Sequence, residues 1–124
     1  VEVHYLDEID FFRRIGWLRS GGIDAATLAQ FIWHLHASKP PKSKFLVFLP
    51  GRGDIKRLSA DLWDIQDDGG HHALDIKALH AGIPIEKQQQ MLQTFQGTLR
   101  VVILATDVVE SSVTIPEVDV VVDT

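Results

Sequence analysis

The chain alternates between short apolar runs and stripes of helical period. In VEVHYL, Val1, Val3 and Tyr5 alternate with polar residues, which predicts a half-buried strand at a sheet edge. Leu28, Ile32 and Leu35 fall on one face of a helix that Asp24 would cap and that runs to about Ala37, where Pro40-Pro41 forbids continuation. Phe45 to Leu49 is a continuous apolar run, the pattern of a strand covered on both faces. A tight turn at Pro50-Gly51-Arg52-Gly53 precedes a second helix, capped by Asp54, with Ile55, Leu58, Leu62 and Ile65 inward. Asp67 to His72 reads as a loop and Ile76 to Leu79 as a third strand. A third helix starts near Pro84, turns Met91, Leu92 and Phe95 inward and Glu86 to Gln90 outward, and ends at Gly97. Val101 to Leu104 and Val118 to Val122 are the last two strands.

Strands joined through crossover helices pair in parallel with right-handed connections. The fold class is therefore α/β: a mostly parallel sheet with flanking helices, in a single domain over residues 1–124. No helix follows the last strand, so the domain is expected to be truncated at its C-terminus, the last strand forming an exposed edge.

Of the 124 residues, 45% are hydrophobic and 23% charged, an ordinary globular composition rather than a disordered one. No apolar run approaches the roughly 20 residues of a spanning helix, so no membrane contact is expected. The absence of cysteine favours an intracellular setting, cytoplasmic or nuclear. The formal net charge of −5 argues against a free-standing, strongly basic nucleic-acid-binding domain. Any contact with nucleic acid must be local, through a few donors. His34 and His36 point to different helix faces, and His71-His72 have no cysteine partners, so no metal site is assigned. Trp17, Trp33 and Trp63 are not interleaved with basic residues and read as core or interface packing rather than as a base-stacking platform.

Parallel strands deliver their carboxyl ends to one edge, and three loops there are rich in small and polar residues: Pro50 to Gly53, His80 to Gly82, and Thr106 to Thr114. Small residues admit a ligand close to the backbone, and N–H groups ahead of a helix are ready anion sites. Together they suggest a phosphate- or nucleotide-related crevice. The chain has no GxxxxGK[ST] and no GxGxxG, so it carries no nucleotide cradle of its own.

Three blocks, FLVFLPGRGDI, ALHAGIPIEKQQQML and RVVILATDVVESSVTIPEVDVVVDT, resemble in order and spacing the second RecA-like (Rossmann-like) domain of DEAH/RHA-type superfamily 2 RNA helicases. The family patterns are approximately VFLPGxxEI, LHxxLPxxEQ and VATNIAExSLTIxxVxYVID, covering its motifs IV to V. The opening VEVHYL resembles the start of that domain, and SSVTIPEV is similar to the germline, tudor-bearing branch.

The resemblance implies part of an ATP-dependent RNA helicase, in which ATP with Mg2+ sits between two RecA-like domains and single-stranded RNA crosses both. The partners are thus RNA, held through its backbone, and the first RecA-like domain of the same chain. Thr106 and Asp107 match the RNA-contacting pair of motif V, with Asp107 standing where the family usually carries Asn. A carboxylate accepts hydrogen bonds and repels phosphate, whereas an amide can donate. Gly51 and Arg52 match the end of motif IV, while His80 and Gly82 match the block before the Gln-rich helix; all four are candidate RNA contacts. Glu110, Ser112 and Thr114 match the nucleotide-sensing stretch, Ser112 being the leading candidate. Pro116 replaces an Asp near the ribose, a role that Glu117 could take. Gln88 and Gln89 match the family's Glu-Gln pair, on a helix face otherwise read as solvated. The P-loop lysine, the DEAH carboxylates and the arginine fingers that the family needs for hydrolysis are absent, so the fragment alone is expected to be inactive and to hold no catalytic residue. The alternative is a non-catalytic RNA-binding or scaffold module derived from the same fold.

Overall fold

The computed structural model describes residues 2–5, 25–68, 73–93, 99–106 and 117–124. In chain order these form β1 (Glu2–Tyr5), α1 (Ala25–Ser38), β2 (Phe45–Phe48), α2 (Arg52–Asp68), β3 (Leu74–Leu79), α3 (Ile85–Gln93), β4 (Arg100–Ala105) and β5 (Val120–Asp123). All strands are parallel, in the spatial order β1-β5-β2-β4-β3.

The order explains which helix covers which face. The connections β1 to β2 and β2 to β3 each advance across the sheet and skip a strand, while β3 to β4 steps back. Right-handed crossovers therefore place α1 and α2 on one face and α3 on the other. The first face holds the larger core: Leu28, Ile32 and Leu35 of α1 and Ile55, Leu58 and Leu62 of α2 meet Phe45, Val47, Val102, Leu104, Val120 and Val122. On the opposite face, Leu92 of α3 packs with Leu46, Leu79, Val101, Ile103 and Ala105. At the β3 edge this second face also carries a buried ion pair, with Lys77 Nζ 3.4 Å from Asp75 Oδ2. Inward-facing charge on an edge strand discourages pairing with another chain.

Several expectations are corrected. The last strand is not an edge: β5 lies between β1 and β2, because the N-terminal strand returns to cover it. β1 is the edge strand, as its alternation predicts, but Val3 and Tyr5 are each 44% exposed rather than half-buried. They share a sheet face with Val121, and among the described residues the helix on that face, α3, lies over the far side of the sheet. The second helix begins at Arg52, with Asp54 inside its first turn and bonded to Arg57 rather than acting as its cap. β3 begins at Leu74, two residues earlier than its apolar run suggested. Trp33 packs half-buried against the core, whereas Trp63 is exposed. Within the outward stretch Glu86 to Gln90, Gln88 is buried. Val1, Trp17, Asp24, His71, His72, Phe95 and Gly97 lie outside the described residues.

A small polar cluster ties β1 to the end of α1. Lys39 Nζ donates to Glu2 at 2.7 Å, and the His4 ring nitrogen Nε2 lies 2.7 Å from the same carboxylate. Lys39, then His4, holds the Glu2 carboxyl below its ordinary range. A depressed carboxyl stabilises the fold above its unfolded-state value and loses that contribution as pH falls through the folded one. Exposed as it is, the pair contributes little.

Candidate nucleic-acid interface at the carboxyl edge

The register sets the edge. Phe48 stands beside Ala105 and Asp123, and Leu79 beside Ala105, so the chain leaves β2, β3, β4 and β5 at one level. The ladder continues one residue further. Leu49 N–H donates to Ala105 O (2.8 Å), Thr106 N–H to Leu79 O (3.3 Å), and Thr124 donates to Phe48 O through both its N–H (3.3 Å) and its hydroxyl (2.6 Å). These bonds fix the roots of the loops after each strand.

After β2, the N–H groups of Asp54 and Ile55 close onto Gly51 O at 3.2 and 3.3 Å, so Gly51 sits at the entry of α2 and Arg52 is its first residue. The positive end of a 17-residue helix therefore faces the carboxyl edge, with an exposed guanidinium on its first turn. After β3, the chain folds into a turn in which Ile83 N–H donates to His80 O (3.1 Å) and Gly82 N–H donates to His80 Nδ1 (3.0 Å). Because Nδ1 accepts that bond, the neutral ring carries its proton on Nε2 and keeps a donor there.

The two loops meet. A Cβ built on Gly82 would fall inside the Arg52 guanidinium and 3.0 Å from the His80 ring, so Gly82 is the gap in which Arg52 rests. Arg52 thus forms one cluster with His80 and Gly82, which follow it by 28 and 30 residues in the sequence. Gly51 adjoins it. Thr106 follows β4 on the same edge but is only 6% exposed, and its N–H is already engaged by Leu79 O. Glu117 stands apart: it lies two residues before Asp119, which exchanges hydrogen bonds with Lys44 at the amino edge of the sheet. Asp107, Glu110, Ser112, Thr114 and Pro116 lie outside the described residues. Among the described residues no group of three or more His, Cys, Asp or Glu side chains is placed to hold a metal ion.

Gln88 belongs to this edge and the sequence reading placed it in solvent. Its Nε2 donates to His80 O (3.0 Å) and Ile83 O (2.6 Å), pinning the turn from inside. The signal was present in the spacing: Gln88 lies four residues before Leu92 and so shares its buried stripe.

Residues 25–124 match the family model described as the helicase conserved C-terminal domain. The chain belongs to that family. The three sequence blocks and this match agree on a helicase C-terminal domain of the DEAH/RHA type. This helicase domain is 32% identical over 106 residues to the human ATP-dependent RNA helicase TDRD9, covering 86% of this chain and 7% of that protein. To the ATP-dependent RNA helicase DHX33 of Drosophila melanogaster it is 30% identical over 99 residues, covering 78% of this chain and 14% of the relative. It is also similar to the crystal structure of the Escherichia coli DEAH/RHA helicase HrpB, with a TM-score of 0.70 and 23% identity over 99% of this chain and 14% of that one. That likeness confirms a RecA-like fold.

Proposed function

We propose that the chain serves as the second motor domain of an ATP-dependent RNA helicase and holds the sugar-phosphate backbone of single-stranded RNA at its carboxyl sheet edge. The observation that carries this reading is the convergence of Arg52, His80 and Gly82 beside the N-terminus of α2. A guanidinium, an imidazole Nε2–H and a helix terminus are donors suited to phosphate oxygens and blind to base identity. Such a cluster lets an acidic domain contact a polyanion locally. The family likeness adds Thr106, Asp107 and Gly51 to the RNA contacts. It makes Ser112, Thr114 and Glu110 this chain's contribution to nucleotide sensing. The sequence carries no GxxxxGK[ST], so ATP with Mg2+ is assigned mainly to a first RecA-like domain.

In the full-length parent protein, Arg52→Ala is expected to weaken binding of a single-stranded RNA about 3–10-fold and to flatten the salt dependence by about one unit of slope. Fluorescence anisotropy titrations at several salt concentrations read both. Unchanged affinity and slope would remove Arg52 from the interface. RNA binding without RNA-stimulated ATP hydrolysis would instead support the non-catalytic alternative.

Gly82→Ala tests the gap itself. The clashing Arg52 atoms are the far end of a flexible side chain, so the unfolding free energy should change by less than about 0.5 kcal/mol. RNA affinity should nonetheless fall about as far as in Arg52→Ala, because the guanidinium is displaced. Wild-type affinity in Gly82→Ala would show that the resting place of Arg52 is irrelevant to binding.

A further inference from the structure

We propose that Gln88 is a positioning residue for the RNA strand: it holds the His80–Ile83 turn in the shape that seats Arg52 and aims His80, without touching RNA itself. This deepens the preceding reading and rests on it.

The chain of contacts is short. One side-chain amide donates to two carbonyls of the same turn, His80 O and Ile83 O, at 3.0 and 2.6 Å. His80 O also receives Ile83 N–H at 3.1 Å, so it is the hub of the turn. The following Gly82 N–H orients the His80 ring through Nδ1, and the space above Gly82 receives Arg52. Removing the Gln88 amide leaves two carbonyls without that donor and frees the turn to rotate. The RNA-facing donors of two separate loops then lose a common reference.

The other end of the same side chain supports a dedicated role. Gln88 Oε1 is buried with no hydrogen-bond partner among the described residues, an expensive arrangement for a residue needed only for packing. An apolar side chain on this stripe, like that of Leu92, would avoid the penalty. The amide is retained for its two donors, and both are directed at the turn that carries His80 and Gly82.

The test uses the full-length protein, a single-stranded RNA, and the variants Gln88→Met, Arg52→Ala and the double variant. Gln88→Met keeps the volume and removes both donors. It is expected to weaken RNA binding about 5-fold, with the salt slope reduced by about one unit. The double variant should lose less affinity than the sum of the two single losses, since Gln88 acts in part through the group already removed. A merely structural role would lower the fraction of active protein and leave the slope as in wild type; that result overturns the proposal. Wild-type affinity and slope in Gln88→Met, with Arg52→Ala impaired, also overturn it while the interface reading survives. If Arg52→Ala is likewise without effect, the interface reading falls and the proposal with it. Gln88→Glu, which keeps the size but presents a carboxylate to two carbonyls, decides the question by the same readouts if the methionine variant does not fold.

Discussion

Replacing Arg100 with alanine is expected to lower the unfolding free energy by about 3–5 kcal/mol. Arg100 opens β4, is only 3% exposed, and binds backbone carbonyls rather than a carboxylate. Its Nε donates to His36 Nδ1 (2.6 Å) and its Nη1 to Ser43 O (2.6 Å). Nη2 is shared among Pro40 O (3.0 Å), Lys39 O (3.2 Å) and His36 O (3.3 Å). These oxygens lie at the end of α1 and in the loop that follows, where a helix has acceptors without internal partners and the negative end of its dipole. Arg100 is therefore a C-cap delivered from the sheet, and its guanidinium also sits 4.6 Å from the centroid of Phe45. Burial lowers its pKa, Asp119 opposes this, and the group stays charged. Alanine would leave the charge-assisted acceptors without donors and open a cavity against Phe45. Arg100→Lys keeps the charge but cannot reach the same spread of oxygens, so it should cost about 1–2 kcal/mol. Urea unfolding checks both: the midpoint should fall with an unchanged slope. A loss under about 0.5 kcal/mol for the alanine variant would place this residue among ordinary surface substitutions.

That clamp was invisible in the sequence, and the reason is general. Stripes and runs report which face of an element is buried, because apolar burial acts on each element separately. Leu28, Ile32 and Leu35, and Ile55, Leu58 and Leu62, are all buried as their spacing requires. Phe45 to Leu49 is covered on both faces because β2 lies in the middle of the sheet. Which strand lies beside which is a different matter. Interior strands of a parallel sheet all read as short apolar runs, so nothing in Val118 to Val122 assigns it the place between β1 and β2. A contact such as Arg100 with Ser43 joins positions 57 apart and leaves no local periodic trace.

The candidate site divides in the same way. Carboxyl ends of parallel strands share an edge by geometry, so the pairing of the Arg52 loop with the His80–Gly82 loop was legible from loop positions alone. Glu117 precedes a parallel strand and so joins its amino end, away from the carboxyl edge, which its position next to Pro116 in the family pattern does not register. Gln88 falls in a polar stretch that reads as outward, yet it and Gln66 both occupy buried stripes and use their amides on loop backbone. A glutamine four residues from a buried leucine is a candidate cap, and both of these qualify: Gln88 before Leu92 and Gln66 after Leu62.

Gln66→Leu is the second substitution expected to have a large effect, lowering the unfolding free energy by about 2–4 kcal/mol. The Gln66 side chain is fully buried near the end of α2, where its Oε1 accepts from Ala73 N–H (2.8 Å) and Leu74 N–H (2.9 Å). Those amides begin β3, an edge strand whose ladder neighbour, β4, lies on one side only. Ala73 is held from its other end as well, since its carbonyl receives Arg100 N–H at 3.0 Å. Leucine fills the space but leaves two donors without their acceptor, which is the costly half of losing a hydrogen bond. Gln66 Nε2 has no partner among the described residues, so leucine also removes one buried orphan, which keeps the expected loss below the sum of two full penalties. Amide hydrogen exchange separates this account from simple repacking: Ala73 and Leu74 should lose protection in the variant more than Val102 or Leu104 at the sheet centre. Equal protection of Ala73 and Leu74 in the two proteins would contradict it. Because β3 runs directly from these amides to His80, loosening its start should also weaken RNA binding in the full-length protein if the proposed interface holds, linking a cap inside α2 to the carboxyl edge.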